Sequence, residues 1–333
     1  MTGRLEEELK IESKIKSLME NKPVIIFKYY NSFMDKTYNT KRNYITHVIE
    51  FVCFMENEYK IDFNNSNNVN SIKAFHINEF LNNFTYKKNN ERIKNTNTYI
   101  ANKLSALRNF FEFLYDNEII DQNPCSKIKT PKDNRLHNIT YLTKEEINII
   151  KNNINNGVGS EQAIKYQKKW KNRDLAIVML GITTGLRVSA ICNINIEDVS
   201  FSNKSIRVIE KGDIEKDVYI PDNVLDILKM WIKDREMILY DKNINALFVS
   251  SQKRRMSTQS VRIMLEKYTY NINKNITPHK LRSTTATNLL EQTGDISLVA
   301  DVLGHKNLQN TKRYAQVSNK KKIDAAKILG NLI

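Results

Sequence analysis

"TPHKLRSTTATNLL", residues 277–290, reads as the start of a helix with a cationic first turn. Thr277 stands where an N-cap belongs, and Pro278 suits the first helical position, where its fixed φ fits and no N–H is missed. His279 and Arg282 follow three residues apart, so both side chains share one face beside the positive end of the helix. That is an anion-binding arrangement, although an H-x-x-R pair by itself also arises by chance on solvated surfaces.

The segments on either side extend the pattern. Upstream, "RDLAIVMLGITTG" (173–185) is apolar on nearly every side and reads as a buried helix. Arg187 follows it in "TTGLRVSAI" (183–191), where an arginine is costly to bury unless an anion or a carboxylate pairs with it. A salt bridge and a functional contact read equally well there. "SIRVIEKGDIEKDVYIP" (205–221) alternates β-branched residues around Lys-Gly-Asp, which predicts a hairpin with Lys211 at its tip and Lys216 on the same hairpin. Thr143 and Glu146 in "YLTKEEINII" (141–150) have capping-box spacing, and further helices start from Asp222 and Ser257. Downstream, "LGHKNLQNTKRYAQV" (303–317) contains His305 and Tyr314. Taken alone, His305 suits a helix C-terminal cap after Gly304, and Tyr314 a half-buried aromatic on a terminal helix.

The first part of the chain has helical periodicity throughout and is expected to be all-helical. In "NTNTYIANKLSALRNFFEFLYDNEII" (95–120), Ile100, Leu104, Leu107, Phe111 and Leu114 form one stripe, with Lys103 and Arg108 off it as cationic flanks. In "NTKRNYITHVIEFVCFMENEY" (39–59), Tyr44, Val48, Phe51 and Val52 can face inward, with Lys41 and Arg42 in the opening turn. "NPCSKIKTPKDNRLHNI" (123–139) then breaks the periodicity with two prolines among lysines, as an extended linker would. The organisation expected is an N-terminal extension over 1–21, a helical domain over 22–120, a linker over 121–138, a second domain over 139–317 and a tail over 318–333. The fold class is mainly α with a small β-hairpin or sheet in the second domain.

Composition narrows the function. A chain of 333 residues can bury two domain cores, and its net charge is +15, divided as +4 over 1–132 and +11 over 133–333. A field of that sign attracts polyanions, nucleic acid first among them, although an Asn/Lys/Ile-rich bias also places lysines on surfaces without a partner. Cys53, Cys125 and Cys192 are far apart and form no C-x-x-C pair, which argues against a disulfide framework and a zinc site and points to a reducing compartment. The start lacks a signal-peptide layout and no apolar run approaches bilayer length, so a cytoplasmic protein with no membrane partner is expected.

Arg187, Lys211, His279, Arg282, His305 and Tyr314, in that order and spacing, resemble the tyrosine recombinase (phage integrase) family, above all its compact Xer-like members. The second-half motifs carry the resemblance; in the first half only the helical pattern and "NP" before the linker support it. The resemblance implies a core-binding DNA clamp over 22–120 and a catalytic domain over 139–317. Only about twenty residues precede the first domain, so an additional arm-binding domain is not expected. Arg187 and Arg282 would grip the phosphate oxygens, and Tyr314 would be the nucleophile, forming a 3′-phosphotyrosyl link that a second 5′-hydroxyl can attack. Lys211 would be the general acid, with Lys216 as its rival; His279 would assist proton transfer and His305 would bond the phosphate. No metal, cofactor or ATP is implied. Lys41, Arg42, Lys103 and Arg108 are candidate DNA contacts.

The implied partners are double-stranded DNA with paired recombination half-sites and three further copies of the chain, a homo-tetramer on DNA in which the 318–333 tail either docks on the next copy, as the resemblance favours, or folds back on its own domain. Ala190 departs from the family pattern, since many relatives carry an acid at that place. Alternatives are a type IB topoisomerase, which shares the chemistry, and a DNA-binding relative with an inactive site. Integration or excision of a mobile element and Xer-type resolution both stay open, with Ala190 favouring the former.

Overall fold

The structure, a computed structural model, describes residues 3–83, 85–88, 91–131, 139–210, 214–240, 243–305 and 307–315. Its chain divides into two compact units, Met1–Leu136 and His137–Ile333. The first contains α1 (Gly3–Met19), α2 (Val24–Asn31), α3 (Tyr38–Tyr59), α4 (Ser66–Asn70), α5 (Ala74–Asn83), strands β1 (Thr85–Lys88) and β2 (Glu91–Lys94), and α6 (Asn97–Asp116).

Two long helices build the first core. Thr37 caps α3 and Thr96 caps α6, each through its side-chain oxygen. Ile45, Val48, Phe51, Val52 and Met55 of α3 meet Ile100, Leu104, Leu107, Phe111 and Leu114 of α6 in one buried cluster. Phe51 packs edge-to-face on Phe80 and Phe111, with ring centroids 5.2 and 5.7 Å away.

Three features depart from the sequence expectation. Residues 3–19, read as an extension, form a helix whose Ile11, Ile15 and Met19 step by four into this core. Cys125 and Ile128, placed in the linker, are buried in the same cluster. The all-helical expectation also fails, because β1 and β2 form an antiparallel hairpin in the register Thr85↔Lys94 to Lys88↔Glu91. Strands of four residues rich in lysine are too short and too polar to show alternation.

The second unit contains α7 (Lys144–Asn156), α8 (Glu161–Lys168), α9 (Lys171–Thr184), α10 (Val188–Asn193), β3 (Val199–Ser200), β4 (Ser205–Glu210), β5 (Ile214–Tyr219), α11 (Asp222–Leu239), α12 (Thr258–Tyr268), α13 (Pro278–Thr293), α14 (Ile296–Leu303) and α15 (Gln309–Ala315). The strands form an antiparallel sheet in the order β3-β4-β5, and Ile206 pairs with Val218 in the hairpin expected from the alternation. Among the described residues no helix is long and apolar enough to cross a membrane.

The apolar helix read from the sequence is α9, buried from Arg173 to Ile182 and at Thr184. Its charged start is satisfied internally. Arg173 Nε and Nη2 donate to Asp174 Oδ1 at 2.8 and 2.6 Å, and Nη1 donates to the Val249 carbonyl at 2.8 Å. The Tyr268 hydroxyl donates to the other Asp174 oxygen at 3.0 Å, and burial together with the Asp174 charge pushes that phenol above its ordinary range.

Helix α13 crosses α9 closely. A Cβ on Gly181 would lie 2.8 Å from Leu281 Cδ1, so glycine permits the approach. One turn further on, just past the end of α9, Gly185 turns the chain at φ +64°, and a Cβ there would lie 2.6 Å from Leu303 Cδ2. The C-terminal end of α9 is therefore held against α13 at Gly181 and against α14 at Gly185 by contacts that leave no room for a side chain.

Candidate active site

Arg282 is the centre of the arrangement. It is buried at 3% exposure in the first turn of α13. Its Nη1 donates to the Gly185 carbonyl at 2.7 Å, and its Nη2 donates to the Leu303 carbonyl. Gly185 precedes Arg187 by two residues, and Leu303 precedes His305 by two. One guanidinium thus ties the loop that leads to Arg187 to the end of α14 that leads to His305. Thr285, one turn along α13, adds a donor to the carbonyl of Ile182 at 2.7 Å.

The remaining positions surround this tie. Arg187 is exposed at the N-cap position of α10. His279 is exposed in the first turn of α13; Thr277 holds the N-cap position but makes no side-chain capping bond. Gly304 ends α14 at φ +61°, and the His305 N–H then bonds the Ala300 carbonyl at 2.9 Å, so the capping geometry read from "LGH" is present. The imidazole is directed by a further contact, Nδ1 to Thr311 Oγ1 at 2.8 Å.

Tyr314, on α15, is 1% exposed and packs with Ala286, Leu290, Val299 and Leu303. The structure accordingly draws the backbone leading to Arg187 and the segment of His305 to Arg282 near the start of α13, while Tyr314 packs on Ala286 and Leu290 farther along that helix and on Leu303 of α14. Lys211 lies outside the described residues; its rival Lys216 is half-buried on β5, in register with Val208. Ala190 is half-buried against the main core. Sequence reading missed Thr311, Thr285 and the carbonyls of Gly185 and Leu303, whose signal is only their spacing from motif residues.

A guanidinium bridge that draws the segments of a second arginine and a histidine to one helix, in a strongly basic and mainly helical chain, points to a class of protein that handles the phosphodiesters of nucleic acid. Among the described residues no three His, Cys, Asp or Glu side chains are grouped to hold a metal ion. Comparison with known proteins narrows the class. The profile of the phage integrase family matches residues 140–321. A tyrosine recombinase of Pseudothermotoga lettingae is 30% identical over 290 residues, which is 85% of this chain and 88% of the relative. The tyrosine recombinase XerC of Psychromonas ingrahamii is 33% identical over 66% of this chain and 69% of its own.

In fold, the chain is similar to the XerH site-specific recombinase in a post-cleavage complex with palindromic difH substrate, with a TM-score of 0.69, 22% identity and coverage of 88% and 81%. A lambda integrase dimer bound to a COC′ core site has a TM-score of 0.63 at 16% identity, with coverage of 89% and 77%. The chain belongs to the phage integrase family of tyrosine recombinases, site-specific enzymes that break and rejoin DNA.

The first unit's candidate contacts divide on inspection. Lys41 donates to the Phe33 carbonyl at 2.8 Å and lies over the rings of Tyr30 and Tyr38, while Arg42 is half-buried beside it in the opening turn of α3. Arg108 donates to Thr130 Oγ1 at 2.7 Å and to the Ile128 carbonyl, holding the chain that leaves α6. Lys103 is a correction, because it is not a surface cation. It is fully buried, 2.7 Å from Glu50 and over the rings of Phe80 and Tyr99, and burial holds its ammonium below the usual lysine range. Lys103→Met should therefore leave the salt slope of DNA binding unchanged in a titration, whereas loss of a phosphate contact would lower that slope by about one.

Proposed function

We propose that Tyr314 is the nucleophile of a strand-exchange reaction on duplex DNA. Its phenolate oxygen bonds the phosphorus, the bond to the 5′-oxygen breaks, and a proton from Lys211 completes the leaving hydroxyl. Arg187 and Arg282 stabilise the charge that gathers on the non-bridging oxygens, His279 assists proton transfer and His305 bonds the phosphate. The 3′-phosphotyrosyl link keeps the energy of the diester, so a 5′-hydroxyl of a second strand rejoins it by way of a Holliday junction.

The observation that carries this reading is the Arg282 bridge between the Gly185 and Leu303 carbonyls, which draws the segments of Arg187 and His305 to the helix of His279. The partner is duplex DNA with paired half-sites, held by a homo-tetramer in which the 318–333 tail docks on the next copy. Residues 22–120 clamp the duplex, and Lys41, Arg42 and Arg108 are its candidate phosphate contacts. Ala190, in place of the usual acid, favours integration and excision of a mobile element over chromosomal resolution. The test is incubation with nicked duplexes tiled from the DNA flanking the gene. An SDS-resistant protein–DNA adduct on a fragment with inverted half-sites supports the reading; relaxation of any supercoiled plasmid would make the protein a topoisomerase, and binding without an adduct an inactive relative.

A further inference from the structure

We propose that Thr311 is a positioning residue: it fixes which nitrogen of His305 carries the proton and so couples that histidine to the helix of Tyr314. This rests on the reading of His305 as a phosphate contact. Thr311 is fully buried, and its Oγ1 lies 2.8 Å from His305 Nδ1. A buried hydroxyl has one proton, and leaving it without an acceptor is costly. Five helical threonines elsewhere in this chain return that proton to the carbonyl four residues back. Thr46, Thr183, Thr184, Thr284 and Thr293 do so at 2.6 to 2.8 Å. Thr311 departs from them, its hydrogen-bond partner among the described residues being the imidazole.

The direction of that bond has a chemical consequence. If Thr311 donates, Nδ1 is the acceptor and the neutral ring carries its proton on Nε2. His305 then offers an N–H from the far side of its ring, the polarity needed to bond an anionic phosphate oxygen. Its backbone is already held by the Ala300 carbonyl after Gly304, so the threonine settles the ring itself. Thr311 also stands one turn before Tyr314 on α15, and Tyr314 packs on Leu303 and Val299 of α14. Seating α15 therefore sets the histidine and the phenol in one movement, and unseating it releases both.

Two measurements on the full chain test this. Histidine 15N NMR, with His305→Gln for assignment, should find the neutral ring of His305 protonated at Nε2; protonation at Nδ1 overturns the proposal. In single-turnover cleavage of the nicked duplex, Thr311→Val should be about 10- to 100-fold slower with DNA affinity unchanged. Thr311→Ser, which keeps the hydroxyl, should recover most of that rate. Valine cleaving at the wild-type rate, or serine as slow as valine, sinks the positioning role. His305→Gln cleaving at the wild-type rate removes His305 from the reaction and the proposal with it, whatever the tautomer, while Tyr314 and Arg282 keep their own tests.

Discussion

Tyr314→Phe is expected to abolish the covalent protein–DNA adduct completely while leaving a folded protein that still binds the same fragment. The two halves of that expectation have separate causes. Phenylalanine keeps the ring that packs with Ala286, Leu290, Val299 and Leu303, so the apolar burial at the end of α13 is preserved. What disappears is one hydroxyl, worth about 1 kcal/mol if it is bonded, or a Tm shift of about 2–4 °C. The chemistry has no such tolerance. A phenyl ring has no oxygen to bond phosphorus, so the adduct should fall to background rather than by a finite factor. Denaturing gels after incubation with the nicked duplex, beside a binding titration on the same fragment, read both halves. The chain holds 15 tyrosines, and an adduct that survives this substitution would assign the nucleophile to another of them.

How far the site could be read in advance depended on whether its determinants are local. The capping box at Thr143 and Glu146 lies within four residues, and both of its bonds form. The β4-β5 hairpin and the buried α9 likewise follow from patterns of two and of continuous apolarity. Arg282 shows the opposite case. Its helix position was legible, but its carbonyl partners lie 97 and 21 residues away, so nothing local marks it as the residue that ties three segments together. Lys103 was misread for a geometric reason. Ile100, Lys103, Leu107 and Phe110 step by three, four and three, which places the lysine on the buried side of α6. An apolar stripe traced through hydrophobic residues alone passes it by, and the acid that makes burial tolerable, Glu50, is on α3.

Arg282→Lys should cost both stability and cleavage, and the conservative exchange is the informative one. Arginine reaches two carbonyls on separate segments because its guanidinium is a rigid fork, with Nη1 on Gly185 and Nη2 on Leu303. An ammonium is a compact charge and cannot span both acceptors from one position. At least one buried carbonyl is then left without its donor, which costs about 1–3 kcal/mol. Gly185 and Leu303 are also in contact at a turn with no room for a Cβ, so slack at one is transmitted to the other. If the same guanidinium stabilises the transition state, cleavage should fall by about 100- to 1000-fold beyond the loss of folded protein. The two effects are separated by measuring single-turnover cleavage well below the unfolding transition, with thermal unfolding on the same sample. A destabilised variant that cleaves at the wild-type rate would confine Arg282 to holding the loops together. A slow variant of normal stability would instead show that the loops stay in place without the fork and that Arg282 acts on the phosphate.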